Sequence, residues 1–310
     1  MKTRRRVLSL SRGAGGLSLQ AVLRFAPTPN GFLHLGHAYS ALRNAELAAR
    51  LGGRLLLRFE DTDPARCRPE YEAAILEDLD WLGVAHEPNP RRQSEHVADY
   101  AAAFESLRRR ELLYPCFCTR GQIAAASGER DPDGAALHHG RCVAVSPKET
   151  RARLDRGEPA NWRLDLARAL AKAPPSLSWT EFYEGDAPSV IAAEPQRWGD
   201  ILLGAKERPA VYHLAVVVDD ALQGVTDVVR GRDLLPSTSL HRLLQALLGL
   251  PAPRYRHHRL ALDAAGAKLS KSARSKSLRA LREQGYSAVD VRAALGSGPP
   301  GERALAIALS

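Results

Sequence analysis

Two imidazoles three residues apart, His34 and His37, are the first side chains here whose spacing suggests chemistry. They close the run Arg24-Phe25-Ala26-Pro27-Thr28-Pro29-Asn30-Gly31-Phe32-Leu33-His34-Leu35-Gly36-His37, between an apolar stretch and a helical one. At that spacing both rings fall on one face of a helix's first turn. Backbone N–H groups and the positive end of the helix dipole favour an anion there. Gly36 has no Cβ, so a flat base or ribose can come close to the backbone. Near the other end, Gly266 and Lys268-Leu269-Ser270-Lys271-Ser272 put two ammonium groups and two hydroxyls on a turn. Either motif alone is a common pattern of solvated loops and helix starts. In this order they describe a clamp around a nucleoside triphosphate, the chemistry of an adenylating enzyme.

Two further groups extend the candidate site. Arg24 ends an apolar strand, where a guanidinium can grip a carboxylate with two parallel hydrogen bonds. Glu60 ends the next strand, at the sheet edge where doubly wound folds hold ligands, and suits an α-ammonium group. Taken alone, Glu60-Asp61-Thr62-Asp63 reads as a solvated acidic turn. Asp61 and Asp63 could form a magnesium site, but Mg2+ more readily rides on ATP phosphates.

A separate cluster, Cys116-Phe117-Cys118 followed by His138-His139-Gly140-Arg141-Cys142, offers three thiols and an imidazole, the soft donors tetrahedral zinc prefers. Such a loop, with little core of its own, needs a metal to order it. Buried structural thiols are the plainer reading. Cys67 has no partner at metal spacing and reads as a bystander.

The elements that must position these groups follow from periodicity. Leu19 to Phe25 reads as a buried strand, Leu35 to Leu51 as a helix, and Arg54 to Glu60 as a second strand. Pro69 opens a helix with Ala73, Leu76, Leu79 and Leu82 on its apolar face, and another runs from about His96 to Leu112. Val211 to Val218 and Gly224 to Val229 read as buried strands. Ser237 to Leu248 reads as a helix and Tyr255 to Leu262 as a final strand. The last forty residues suggest two short helices. The expected division is a flexible tail (1–20), the first half of an α/β domain (21–113), an insertion (114–195), its second half (196–262), and the Lys-Ser loop with a short helical region (263–310).

Composition narrows the class. The chain has 310 residues, 45% hydrophobic and 25% charged, enough for a real core. A net charge of +9 favours a polyanionic partner. No run of about 18 apolar residues reads as a membrane span. Four cysteines in this pattern suit a reducing compartment and a metal rather than disulfides, so the expected location is cytoplasmic. The acid-free, Arg-rich start reads as a disordered extension, with an organellar targeting segment as the alternative.

The two motifs together resemble the signature sequences of the class I aminoacyl-tRNA synthetases, with Leu35 and Leu269 as conservative variants. RFAPTPNGFLHLGH, RFEDTDP and YHLAVVVDD with GVTDVVRGRDLL narrow the resemblance to the glutamyl/glutaminyl branch, over residues 20 to 280. The resemblance implies a Rossmann-like α/β catalytic domain with a zinc-bearing insertion and a short helical C-terminal stem-contact region. It implies that Arg24, Phe25, Ala26, Pro27, Thr28, Glu60, Tyr212 and Arg230 hold glutamate. His34, Gly36, His37 and Lys271 would bind Mg-ATP, with His34, His37, Lys268 and Lys271 catalytic. The zinc ligands would be Cys116, Cys118, His138 and Cys142, with His138 where the family commonly has Tyr and His139 as a competitor.

The chain ends 38 residues after Ser272, whereas full glutamyl-tRNA synthetases continue into a helical anticodon-binding domain. In length, in its Cys pattern and in HLGHAYSAL it resembles the shorter glutamyl-queuosine tRNA(Asp) synthetase family. That resemblance implies a monomer that activates L-glutamate with ATP and transfers it to the queuosine base in the tRNA(Asp) anticodon. The alternatives are a truncated enzyme charging a tRNA acceptor end and a non-catalytic RNA-binding paralogue.

Overall fold

The computed structural model describes residues 20–138, 140, 142, 145–183, 187–205, 211–262, 276–305 and 307–310. The expected tail (up to residue 19), His139, and the Lys-Ser turn with Lys268 and Lys271 lie outside the described residues. Among the described residues no helix is long and apolar enough to cross a membrane.

Strand β1 (Val22–Phe25) is buried along its whole length and leads through a Pro-rich turn into α1 (Leu35–Arg50). Then come β2 (Arg54–Phe59), α2 (Pro69–Trp81), β3 (Arg91–Arg92) and α3 (Val97–Arg109). Strands β1, β2 and β3 pair in parallel, in that order. Pro69 sits in the first turn of α2, where its missing N–H costs nothing. That helix buries Ala74, Ile75, Asp78 and Leu79, a face rotated slightly from the one periodicity suggested.

The middle of the chain holds β4 (Leu113–Cys116), α4 (Arg120–Ala126), α5 (Pro147–Asp155), β5 (Asn161–Leu164) and α6 (Leu166–Lys172). Next come β6 (Ser178–Phe182), β7 (Pro188–Ala192) and β8 (Leu202–Gly204). Strands β4, β5 and β8 form a small antiparallel sheet. Strand β6 behaves differently from the insertion it was expected to belong to. It pairs in parallel with β10 (Arg254–His258), and β10 pairs in parallel with β9 (Asp227–Gly231). Strands β6 and β7 thus join the sheet of β9 and β10, with β7 as its antiparallel edge. The two parallel groups meet at β1 and β9, where the Val22 N–H donates to Thr226 Oγ1 and the Thr226 N–H to Val22 O, each at 2.9 Å.

One expected strand is a helix. Val211 to Val218 forms most of α7 (Tyr212–Leu222), which buries Leu214 through Asp220 without a break. Being enclosed on all sides, it lacks the polar stripe that marks a surface helix, and a run of Val and Leu then fits either element. It packs with α3 and α8 (Ser237–Leu248) around Leu107, Leu240, Leu243 and Leu244. Each of these fully buried leucines contributes about 1.5–3 kcal/mol by leaving water. Gly249, in the left-handed region at φ 66°, ends α8 as a C-cap. The expected strand from Tyr255 to Leu262 is broken after His258, and β11 (Ala261–Leu262) pairs instead with β12 (Ala308–Leu309). Helices α9 (Leu278–Glu283) and α10 (Ala288–Ala294) lie between β11 and β12 in the chain, the two short helices expected there.

Candidate active site

The carboxyl ends of β1, β2, β9 and β10 open onto one cavity of about 540 Å³. Its lining includes Arg24 through Thr28, His34, Gly36, His37, Glu60, Tyr212 and Arg230, so every described residue expected around glutamate or ATP faces the same space. Ligands collect at such edges because the strand ends and following loops converge there. Described residues on either side of positions 263–275 lie beside this cavity: Ala261 lines it, and Ser277 forms a β-bridge with His34. The Leu278 N–H also donates to Leu33 O at 2.8 Å.

His34 is the N-cap of α1, one residue outside the first turn, with extended backbone (φ −118°, ψ 174°). Its Nδ1 accepts the Gly36 N–H at 3.1 Å, while the His34 N–H donates to His37 Nδ1 at 3.2 Å. The rings lie 3.9 Å apart, centroid to centroid. Each Nδ1 acts as an acceptor, so a neutral ring carries its proton on Nε2. Gly36 is required for a reason beyond ligand access. A Cβ there would sit 2.9 Å from His34 Cε1, against a ring pinned by its own hydrogen bond.

The floor of the cavity is a buried ion-pair network. Asp220 Oδ1 accepts from Arg24 Nε at 3.1 Å and from Arg58 Nη1 at 2.8 Å. Arg58 Nη2 reaches Glu60 Oε1 at 3.3 Å. Asp219 accepts from Arg91 Nε, Gln93 Nε2 and Tyr100 Oη at 2.8–2.9 Å, fixing α7 to β3 and α3. Burial pushes the Glu60 carboxyl above its usual range, against the pull of Arg58 and Arg24. Asp220 goes the other way. Burial opposes its charge, but Arg24 and Arg58 hold it below the usual carboxylate range. Burial raises the Tyr212 phenol to about 12, so it stays protonated. Among the described residues, Asp220 takes only the Nε of Arg24, which leaves both Nη groups for a ligand.

Arg58, Asp219 and Asp220 fall within the quoted segments RFEDTDP and YHLAVVVDD, but no role was expected of them. The available signal was two adjacent acids inside an apolar run, which burial permits only when cations face them. Asp61 does not behave as a metal ligand: it caps the chain at Ser94, accepting from its N–H at 2.9 Å and its hydroxyl at 2.5 Å.

The second site lies at the end of β4. Ligand atoms of Cys116, Cys118, His138 and Cys142 lie within 4.8 Å of one another. Cys116 Sγ is 3.4 Å from His138 Nε2 and 3.6 Å from Cys142 Sγ, and Cys118 Sγ is 3.3 Å from Cys142 Sγ. A zinc tetrahedron with ordinary Zn–S and Zn–N bonds has edges of about 3.6–3.8 Å, so the donor set fits that ion. The Tyr114 hydroxyl stands between His138 Nδ1 (3.1 Å) and Asp200 Oδ2 (2.7 Å), an outer shell of the kind that orients a ligating imidazole. Burial and the neighbouring thiols push Cys118 up to about 12. A zinc ion would reverse that by stabilising the thiolate.

Residues 20–298 match the catalytic domain of tRNA synthetases class I (E and Q). The chain belongs to this family. Among relatives of this synthetase domain, it is 40% identical to Glutamyl-Q tRNA(Asp) synthetase of Rhodobacter capsulatus, over 89% of this chain and 99% of that protein. It is 39% identical to Glutamate–tRNA ligase 2 of Nitrosococcus oceani, over 85% of this chain and 56% of that one. A glutamate tRNA ligase from Elizabethkingia meningosepticum, solved with its amino acid, superimposes with a TM-score of 0.71 at 26% identity. The match covers 89% of this chain and 60% of that structure.

Proposed function

We propose that this chain activates L-glutamate with Mg-ATP and transfers it to the queuosine base in the anticodon of tRNA(Asp), acting as a cytoplasmic monomer. The observation that carries this reading is the single cavity shared by the His34–His37 helix start and the Arg24, Glu60, Tyr212 and Arg230 side chains. The Nη groups of Arg24 would take a glutamate carboxylate, and Glu60 its α-ammonium. An α-carboxylate oxygen attacks the α-phosphorus, the bond to the β-phosphate oxygen breaks, and pyrophosphate leaves. The Nε2–H groups of His34 and His37 donate to phosphate oxygens as charge builds there. Lys268 and Lys271 are assigned the opposite side of the triphosphate, and Mg2+ bound to ATP neutralises part of its charge. Positioning carries the remaining rate enhancement, and no covalent enzyme intermediate is needed. A hydroxyl of the acceptor then attacks the activated carbonyl and AMP departs.

Zinc held by Cys116, Cys118, His138 and Cys142 is structural in this reading, because protein fills all four positions. The 114–195 segment would hold the anticodon stem-loop through phosphate contacts, in keeping with the net charge of +9. The acceptor is supported by the relative of that name, which the chain covers over 99% of its length. The likeness to glutamate–tRNA ligases favours a second reading, charging of a tRNA acceptor end. Radiolabelled glutamate transfer to tRNA(Asp) with and without queuosine separates the two. Label only on the modified tRNA supports the proposal; label on unmodified tRNA(Glu) alone supports the rival.

A further inference from the structure

Arg230 differs from Arg24 in how it is held. It is buried, on β9, and four of the five N–H donors of its guanidinium are engaged by protein. Nε donates to His257 Nε2 at 3.1 Å and Nη1 to His241 Nδ1 at 3.2 Å. Nη2 donates to Leu234 O at 3.0 Å and to Thr238 Oγ1 at 2.8 Å. Among the described residues, one Nη1 hydrogen remains. Arg230 therefore offers a carboxylate a single prong in a fixed direction.

An arginine cannot accept a hydrogen bond, so each imidazole must turn a lone pair towards it. For His257 this puts the proton on Nδ1, which faces Glu181 Oε2 at 2.7 Å. Glu181 is itself fixed by the His257 N–H at 2.8 Å and the Trp179 Nε1–H at 3.0 Å. For His241 the proton goes to Nε2, 3.2 Å from His213 Nδ1. His213 must then accept there and carry its own proton on Nε2, which points at Asp133 Oδ2, 3.8 Å away. Burial, with the Arg230 charge added, favours the neutral rings, pushing His213 and His257 to about 4 and His241 well down.

We propose that His241 and His257 are positioning residues that aim Arg230 at bound glutamate, the His257 tautomer set by Glu181 of β6 and the His241 Nε2–H taken up by His213. Glu181 lies on β6, inside the sheet and away from the cavity lining, so residues beyond that lining shape the amino-acid pocket. The inference rests on reading the cavity as the glutamate site.

The test is glutamate-dependent pyrophosphate exchange by the full chain and its variants. His241→Ala and His257→Ala should each raise the KM for glutamate about tenfold or more, with kcat and the KM for ATP changed far less. His241→Asn keeps an acceptor near the Nδ1 position, and His257→Gln keeps one near Nε2; both should recover most of the lost affinity. An unchanged glutamate KM would overturn the proposal, and so would equal rises for glutamate and ATP without rescue. Histidine ring 15N NMR reads the tautomers without turnover. The expected protons are on Nε2 of His241 and Nδ1 of His257, and the opposite tautomers would refute the arrangement. Wild-type protein lacking glutamate-dependent exchange would overturn only the assignment of the cavity, because the tautomers report on Arg230 independently.

Discussion

The cavity and the Cys-His cluster both gather polar side chains from distant parts of the chain, but by different means. In the cavity, Arg24, Glu60 and Arg230 sit on or just beyond parallel strands, and buried partners such as Asp220 and His257 fix them. The protein alone completes that geometry. In the cluster, three thiols and an imidazole converge at the end of β4, and the nearby helices α4 and α5 bury no residues at all. Those helices lend the ligands no apolar packing, and in the proposed reading an ion supplies what a core supplies elsewhere. A site on sheet edges is vulnerable through its buried partners; the cluster would be vulnerable through the ion it is proposed to hold.

The largest effect that tests this contrast is expected at Asp220. Asp220→Ala leaves Arg24 and Arg58 buried without their shared carboxylate and should cost about 3–5 kcal/mol in urea unfolding. A loss below about 1 kcal/mol would mean the floor is not built as described. Stripping zinc with a chelator, or Cys142→Ser, should lower transfer to tRNA by roughly tenfold while glutamate-dependent exchange falls much less. Equal losses in both assays would erase the distinction between the two regions.

pH gives a third, smaller test, carried by Glu60. Its carboxyl is raised by burial, and only the ionised form attracts an α-ammonium. As pH falls, Glu60 takes up its proton earlier than an ordinary carboxylate would, so the KM for glutamate should climb towards about tenfold per pH unit. In Glu60→Gln the KM should be high and flat with pH; a wild-type KM that stays flat on acidification would remove Glu60 from this role. Smallest of all, Tyr114→Phe should weaken zinc binding by about tenfold through loss of the His138–Tyr114–Asp200 link, with exchange untouched.

The residues that line the cavity were legible because short motifs carry them: His34, Gly36 and His37 at a helix start, Arg24 and Glu60 at strand ends. What fixes them was not. The cations that meet Asp219 and Asp220 come from distant strands, and the enclosure of α7 hid the helix behind a strand-like run of valines. Strand β6 is five residues long, and its membership of the sheet rests on pairing with β10, which lies more than seventy positions further along. Local periodicity carries no record of such a partner. The Cys116, Cys118, His138 and Cys142 set was readable from ligand chemistry, whereas the Tyr114 and Asp200 shell around it left no pattern.

The most direct measurement is ATP–pyrophosphate exchange, with and without glutamate, in wild type and Lys271→Ala. Exchange in the wild type should require glutamate and fall by about a hundredfold or more in the variant, by analogy with lost oxyanion donors. Exchange that ignores glutamate, or an unaltered rate in Lys271→Ala, would contradict a shared cavity in which both substrates react.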